Sequence, residues 1–157
     1  MAAILVVDDD AAFLRLLDLM LRRENHTVIM ARSAQEALNT LDENSFDMVI
    51  TDIFMPKMDG FTFISLLRSD GRHKDLPVAV LTASGRRHMA NQALESGADG
   101  FLLKPFSSWE LKKTVADCLG ISWNMQCDHA REGCYCTLNA IPNAIPNDCP
   151  IYQNVQQ

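Results

Sequence analysis

The chain predicts an α/β fold: a doubly wound parallel sheet of five strands with helices on both faces, followed by an irregular tail. Three observations carry this. Short apolar runs without polar alternation recur five times in the first 120 of 157 residues, the pattern of strands buried on both faces. Between them lie stretches whose apolar residues return at three- and four-residue steps, the period of amphipathic helices. Beyond residue 120 both patterns stop.

Residues 4–7, Ile-Leu-Val-Val, are the first strand, and they run into Asp8, Asp9 and Asp10. From 11 to 24, Phe13, Leu14, Leu17, Met20 and Leu21 define one helical face, with Arg15, Asp18, Arg22 and Arg23 on much of the other. Residues 27–31 read as the second strand. Ser33 followed by Glu36 matches a capping box that opens a helix to about residue 43. Residues 47–51 supply the third strand, which delivers Asp52 into a turn closed by Pro56. Asp59-Gly60 turns the chain into the helical pattern of Phe61, Phe63, Ile64, Leu66 and Leu67. Residues 77–81 form the fourth strand, ending in Thr82, and the next helix is predicted over 86–96, stopping at Gly97, which tolerates a left-handed C-cap. Residues 101–104 are the fifth strand, and Ser107 with Glu110 is a second capping box, starting a helix to about 119.

Strand and helix alternating in this way imply right-handed crossovers, and in such sheets ligands sit outside the C-terminal strand ends. Asp8, Asp9, Asp52, Thr82 and Lys104 all fall at or just past those ends. They therefore converge on one crevice. A lone aspartate there is usually a turn or cap residue; the constellation is what points to chemistry. Carboxylates packed together repel one another unless a cation sits among them, and a hard oxygen site with few ligands suits Mg²⁺. Lys104 adds a mobile positive charge and Thr82 a hydroxyl, both suited to a phosphoryl group. Asp52 is then the candidate nucleophile, since no His, Ser or Cys in the crevice competes.

Composition narrows the function further. A net charge of −6 and no clustered Lys or Arg argue against a nucleic-acid surface, while 48% hydrophobic residues can fill a core. No apolar run is long enough for a bilayer span and no cationic leader precedes one, so a soluble, cytoplasmic protein is expected.

Asp8-Asp9 after the first strand, Asp52 followed by Met55-Pro56 and Asp59-Gly60, Thr82-Ala83, and Lys104-Pro105-Phe106 closely resemble the receiver domain of two-component response regulators. The resemblance covers about residues 2–120, so the domain is expected over 1–120 and a tail over 121–157. It implies a flavodoxin-like receiver fold with strand order 2-1-3-4-5 and a cis Lys104–Pro105 bond. It also implies Mg²⁺ held by Asp9, Asp52 and the Phe54 backbone carbonyl, with Asp8 acting through water. Asp52 would be the phosphorylated residue, Lys104 the partner of the phosphoryl oxygens, and Thr82 and Phe101 the switch pair. The plainer reading of Phe101 is core packing. Phe54 and Ser84 stand where the family tunes phosphoryl lifetime, and Ala83 leaves room for the group. A histidine kinase or phosphotransfer protein would be the donor. Arg86, Arg87, His88, Lys112 and Lys113 are candidates for output contacts on the face of the fourth helix, fifth strand and last helix, where a partner protein or a second copy would bind.

The tail is different in kind. Residues 121–157 hold three prolines, a repeated Ala-Ile-Pro-Asn, one Arg and no Lys, a composition that argues against a DNA-binding effector. Cys127, Cys134, Cys136 and Cys149, with His129 nearby, fit three outcomes: a Zn²⁺ or iron-sulfur site, redox-active thiols, or no cofactor. The leading expectation is a single-domain signalling module with no enzymatic output beyond its own phosphorylation and dephosphorylation. One alternative is a redox or metal sensor that uses the tail. Another is a Mg²⁺-dependent aspartyl phosphatase of the haloacid dehalogenase type, which wants a second acid where this chain has Phe54.

Overall fold

A computed structural model of the chain describes residues 1–83 and 87–121. Five strands alternate with five helices: β1 Ala3–Val7, α1 Ala11–Arg23, β2 Thr27–Ala31, α2 Ala34–Glu43, β3 Met48–Asp52, α3 Gly60–Ser69, β4 Val78–Ala83, α4 Arg87–Glu95, β5 Gly100–Lys104 and α5 Ser108–Leu119. All strand pairs are parallel, and the sheet order is β2-β1-β3-β4-β5. Among the described residues no helix is long and apolar enough to cross a membrane.

The continuous apolar strands are explained by two cores, one on each side of the sheet. Leu5, Val7, Val49, Val78 and Val80 face α2 and α3 through Ala34, Ala37, Leu41, Phe63, Ile64 and Leu67. Their neighbours Ile4, Val6, Met48, Ile50, Ala79 and Leu81 face α1 and α5 through Leu14, Leu17, Leu21, Leu111 and Val115. A strand with period-two side chains and a helix layer on each face has no polar position to offer.

Each helix with a described cap starts on a side chain that accepts backbone N–H groups, as the unsatisfied first turn requires. Asp10, Ser33, Asp59 and Ser107 do this for α1, α2, α3 and α5. The Ser107–Glu110 box is reciprocal, as predicted. The Ser33–Glu36 pair is not: Ser33 Oγ accepts from Glu36 N, but the Glu36 carboxylate reaches back to Arg32 N at 2.7 Å. The chain enters α2 through an extended Ser33, and the preceding amide is the one within reach.

Predicted boundaries shift by one or two residues. The third strand begins at Met48 and includes Asp52, and the fourth continues through Thr82 to Ala83, which sets both site residues inside the sheet's hydrogen-bonded edge. Gly97 adopts φ +103, as a residue ending α4 was expected to. The Lys104–Pro105 bond is cis. The candidate ligands Cys127, His129, Cys134, Cys136 and Cys149 lie outside the described residues, as does Ser84, and the side chains of Arg86, Arg87 and His88 are likewise not described.

Candidate functional site

Parallel strands bring their C-terminal ends to one edge, and β1, β3, β4 and β5 each deliver a polar side chain there. Asp8, one residue past β1, is 1% exposed. It is tied down twice: Oδ1 accepts from Asp10 N at 2.9 Å, and Oδ2 accepts from the Lys104 ammonium at 3.1 Å. Asp9 beside it is exposed. Asp10, indistinguishable from them in sequence, turns away to cap α1, accepting from Ala12 N at 2.9 Å and Phe13 N at 3.3 Å.

Asp52 ends β3, the central strand, in which all five residues are buried. Its carboxylate lies 3.7 Å from Lys104 Nζ. Gly60 sets the far wall: its N–H donates to Ile53 O at 2.8 Å, and its Cα approaches the Asp52 and Ile53 backbone too closely to leave room for a Cβ. Lys57, in the same loop, holds φ +69, a left-handed conformation that costs a non-glycine residue about 1 kcal/mol.

One carboxylate oxygen each from Asp8, Asp9 and Asp52 lies within 4.8 Å of the others. Three acids face a single described ammonium, so the cluster carries excess negative charge that a divalent cation would relieve. All donors are oxygens, and the residues Asp8 and Asp52 are buried, which fits Mg²⁺. Burial is the main reason the Asp52 carboxyl sits above the ordinary aspartate range. Lys104 opposes that shift, Asp8 adds to it, the Ile53 backbone N–H opposes it, and Asp9 adds a little.

This shift has a stability consequence. A carboxyl whose folded value exceeds its unfolded one contributes stability below the unfolded value and loses it as pH rises through the folded value. At neutral pH, in buffer without Mg²⁺, ionised Asp52 therefore opposes folding. Asp52→Asn is expected to raise the melting midpoint by on the order of a few degrees at pH 7, with the gap closing in acid where Asp52 itself protonates. A gap that widens in acid would contradict the burial argument.

Thr82 is fully buried in β4, and its hydroxyl has no hydrogen-bond partner among the described residues. A buried hydroxyl left unpaired costs about 1–3 kcal/mol, so a group entering the crevice that accepts from it would recover that cost. Phe101 on β5 is 40% exposed, which corrects the plainer reading of it as a core residue: β5 is the edge strand of the sheet. Phe54, two residues past Asp52, is 45% exposed at the rim.

Sequence reasoning missed an aromatic neighbour. Lys104 Nζ stands 4.0 Å from the centroid of the Phe13 ring, and Phe13 meets Phe106 edge to face with centroids 5.9 Å apart. Phe13 reads in sequence as an ordinary member of the α1 apolar face, and only the topology brings α1 under the end of β5. Lys112 and Lys113, proposed for output contacts, are each engaged in an ion pair, with Glu24 and Asp117 respectively at 2.7 Å.

Comparison with known proteins agrees with this geometry. A family model described as response regulator receiver domain matches residues 4–116. The transcriptional regulatory protein SrrA of Staphylococcus aureus is 38% identical over 108 residues, covering 69% of this chain and 44% of that protein. The chain thus spans less than half the length of the curated relatives it matches. Among solved structures, the chemotaxis response regulator CheY4 of Vibrio cholerae superposes with TM-score 0.71 at 31% identity, covering 75% of this chain and 98% of that one. A response regulator receiver domain protein from Clostridium thermocellum gives TM-score 0.71 at 30% identity, covering 76% and 95%.

Proposed function

This chain belongs to the response regulator receiver family, and from that premise we propose that it takes a phosphoryl group on Asp52 and signals by a conformational switch and protein binding. Receiver domains receive the group from histidine kinases or phosphotransfer proteins. The observation that carries the assignment is the Asp52 carboxylate on a buried strand end, 3.7 Å from an ammonium and in one crevice with an unpartnered buried hydroxyl.

In the reaction, an Asp52 oxygen attacks the donor's phosphorus, the bond from phosphorus to the leaving group breaks, and the leaving group departs with that electron pair. The product is an acyl phosphate. Lys104 pairs with the phosphoryl oxygens. Asp9, Asp52 and the Phe54 carbonyl would hold Mg²⁺, with Asp8 acting through water; the ion supplies charge neutralisation between two anionic reactants. Asp8 holds Lys104 at the crevice in the unphosphorylated state. Thr82 donates its hydroxyl to the new phosphoryl group, and Phe101 turns inward behind it, a two-state element biased by one charge-assisted hydrogen bond. Phenylalanine has no hydroxyl to desolvate on the way in.

The same reading makes α4, β5 and α5 the surface for an output protein or a second copy, and assigns the chain to the cytoplasm. It gives the receiver domain no enzymatic output beyond self-phosphorylation and self-dephosphorylation.

The test is incubation with acetyl phosphate and Mg²⁺ followed by intact mass. One phosphoryl adduct per chain, lost when Mg²⁺ is chelated, is expected; an unmodified mass at full Mg²⁺ would overturn the proposal. Phe54 bears on the lifetime of that adduct, because a large apolar side chain at the rim hinders an attacking water. Phe54→Asn is expected to speed decay of the phosphorylated form several-fold, measured by loss of the adduct after removal of acetyl phosphate. Equal half-lives would remove Phe54 as a brake.

A further inference from the structure

We propose that Phe13 is a positioning residue for Lys104, an aromatic seat that holds the ammonium at the crevice whatever the charge state of Asp52. This rests on the phosphoryl-acceptor reading of Asp52.

The ammonium has three described neighbours: Asp8 Oδ2 at 3.1 Å, Asp52 Oδ1 at 3.7 Å and the Phe13 ring centroid at 4.0 Å. Two of these change during the reaction. Asp52 exchanges a carboxylate for an acyl phosphate, and Asp8 belongs to the acidic cluster that attracts the metal. The ring does not change. Its face carries a permanent negative quadrupole that attracts a cation, so it is the one contact available before and after transfer.

The ring is itself fixed. Phe106 meets it at an interplanar angle of 79°, the edge-to-face arrangement that aromatic pairs favour, and both rings lean on the core that α1 and α5 share with the sheet. Plain packing is a poorer account of Phe13. The buried stripe of α1 is Leu14, Leu17 and Leu21, and Phe13 stands beside that stripe, only partly buried. A lysine stem is long and flexible, and its freedom must be surrendered when the ammonium meets phosphoryl oxygens. Holding it in advance shifts that cost out of the reaction step.

The test compares the rate of phosphorylation by acetyl phosphate in the wild-type chain, Phe13→Leu and Phe13→Tyr. Leucine keeps the apolar contact and removes the ring face, so a slowing of roughly three- to tenfold is expected; tyrosine, which keeps the face, is expected within about twofold of wild type. In a Lys104→Ala background the Phe13→Leu effect should vanish, because the ring acts only through the ammonium. An independent measurement is the NMR shift of the Lys104 ε-methylene group. It is expected to be displaced upfield by the ring in wild type and Phe13→Tyr, and to return to the ordinary lysine position in Phe13→Leu. Equal rates for Phe13→Leu and wild type, an equal slowing in the Lys104→Ala background, or an ordinary ε-methylene shift in wild type would each overturn the seat while leaving Asp52 as acceptor. Absence of any adduct on the wild-type chain would overturn the acceptor reading and the seat with it.

Discussion

Asp52→Asn is expected to abolish phosphoryl incorporation from acetyl phosphate, a fall of at least about 10³-fold. An amide oxygen is a far weaker nucleophile than a carboxylate, and the two neighbouring acids are poorly placed to substitute. Asp8 is 1% exposed, and both its oxygens are engaged, one by Asp10 N and the other by Lys104. Asp9 is exposed, and Lys104 makes no described ion pair with it. The variant should also melt at or above the wild-type midpoint at neutral pH, since burial already raises the Asp52 carboxyl. Lost labelling in a chain that melts at a lower temperature would instead indicate damaged folding.

Gly60→Ala carries the next largest effect. Gly60 opens α3 fully buried against the end of β3, and a Cβ built there would come within 2.8 Å of Ile53 Cα and closer still to the Asp52 carbonyl oxygen. Both neighbours are backbone, so no side chain can rotate out of the way. Either α3 moves outward or the end of β3 that carries Asp52 does. A loss of about 3 kcal/mol or more is expected, visible as a lower denaturation midpoint, together with slower phosphorylation, because a displacement of about 1 Å at the reacting atom is costly. Gly71→Ala is the matched control: nothing lies within 4 Å of a Cβ at that position, and the midpoint should stay within about 0.5 kcal/mol of wild type. Equal midpoints for Gly60→Ala and Gly71→Ala would refute the steric argument.

Much of the fold was legible because its strands lie between two helix layers. Residues 4–7 or 78–81 can be apolar at every position only if both faces are covered, so a run of four such residues already specifies a parallel sheet. The crevice was legible for a related reason: parallel topology places every strand end on one side, so Asp8, Asp52, Thr82 and Lys104 are brought together by rhythm alone. What stayed hidden depends on side-chain direction and pairing across the chain. Asp8, Asp9 and Asp10 are identical in sequence, yet one is buried under Lys104, one is open to solvent and one caps a helix. Their fates are set by the turn from β1 into α1. Phe13 reads as a member of the α1 apolar face, Phe106 as part of the Lys104-Pro105-Phe106 motif, and Phe101 as a switch or core residue. Phe13 meets both the Lys104 ammonium and the Phe106 ring, and Phe101 stands on an edge strand, partly in solvent. Gly60 reads as a simple turn glycine, and its closer role appears only when α3 is packed against the end of β3.

The central claim is that the covalent bond forms at one carboxylate, and reductive trapping reads that atom directly. The chain is phosphorylated with acetyl phosphate and Mg²⁺ and treated with borohydride, which reduces an acyl phosphate to the corresponding alcohol. The peptides spanning the end of β1 and the end of β3 are then sequenced by mass. The account predicts homoserine at position 52 and intact aspartate at positions 8 and 9; homoserine at either of those, or a phosphoryl group that survives borohydride on another residue type, would contradict it.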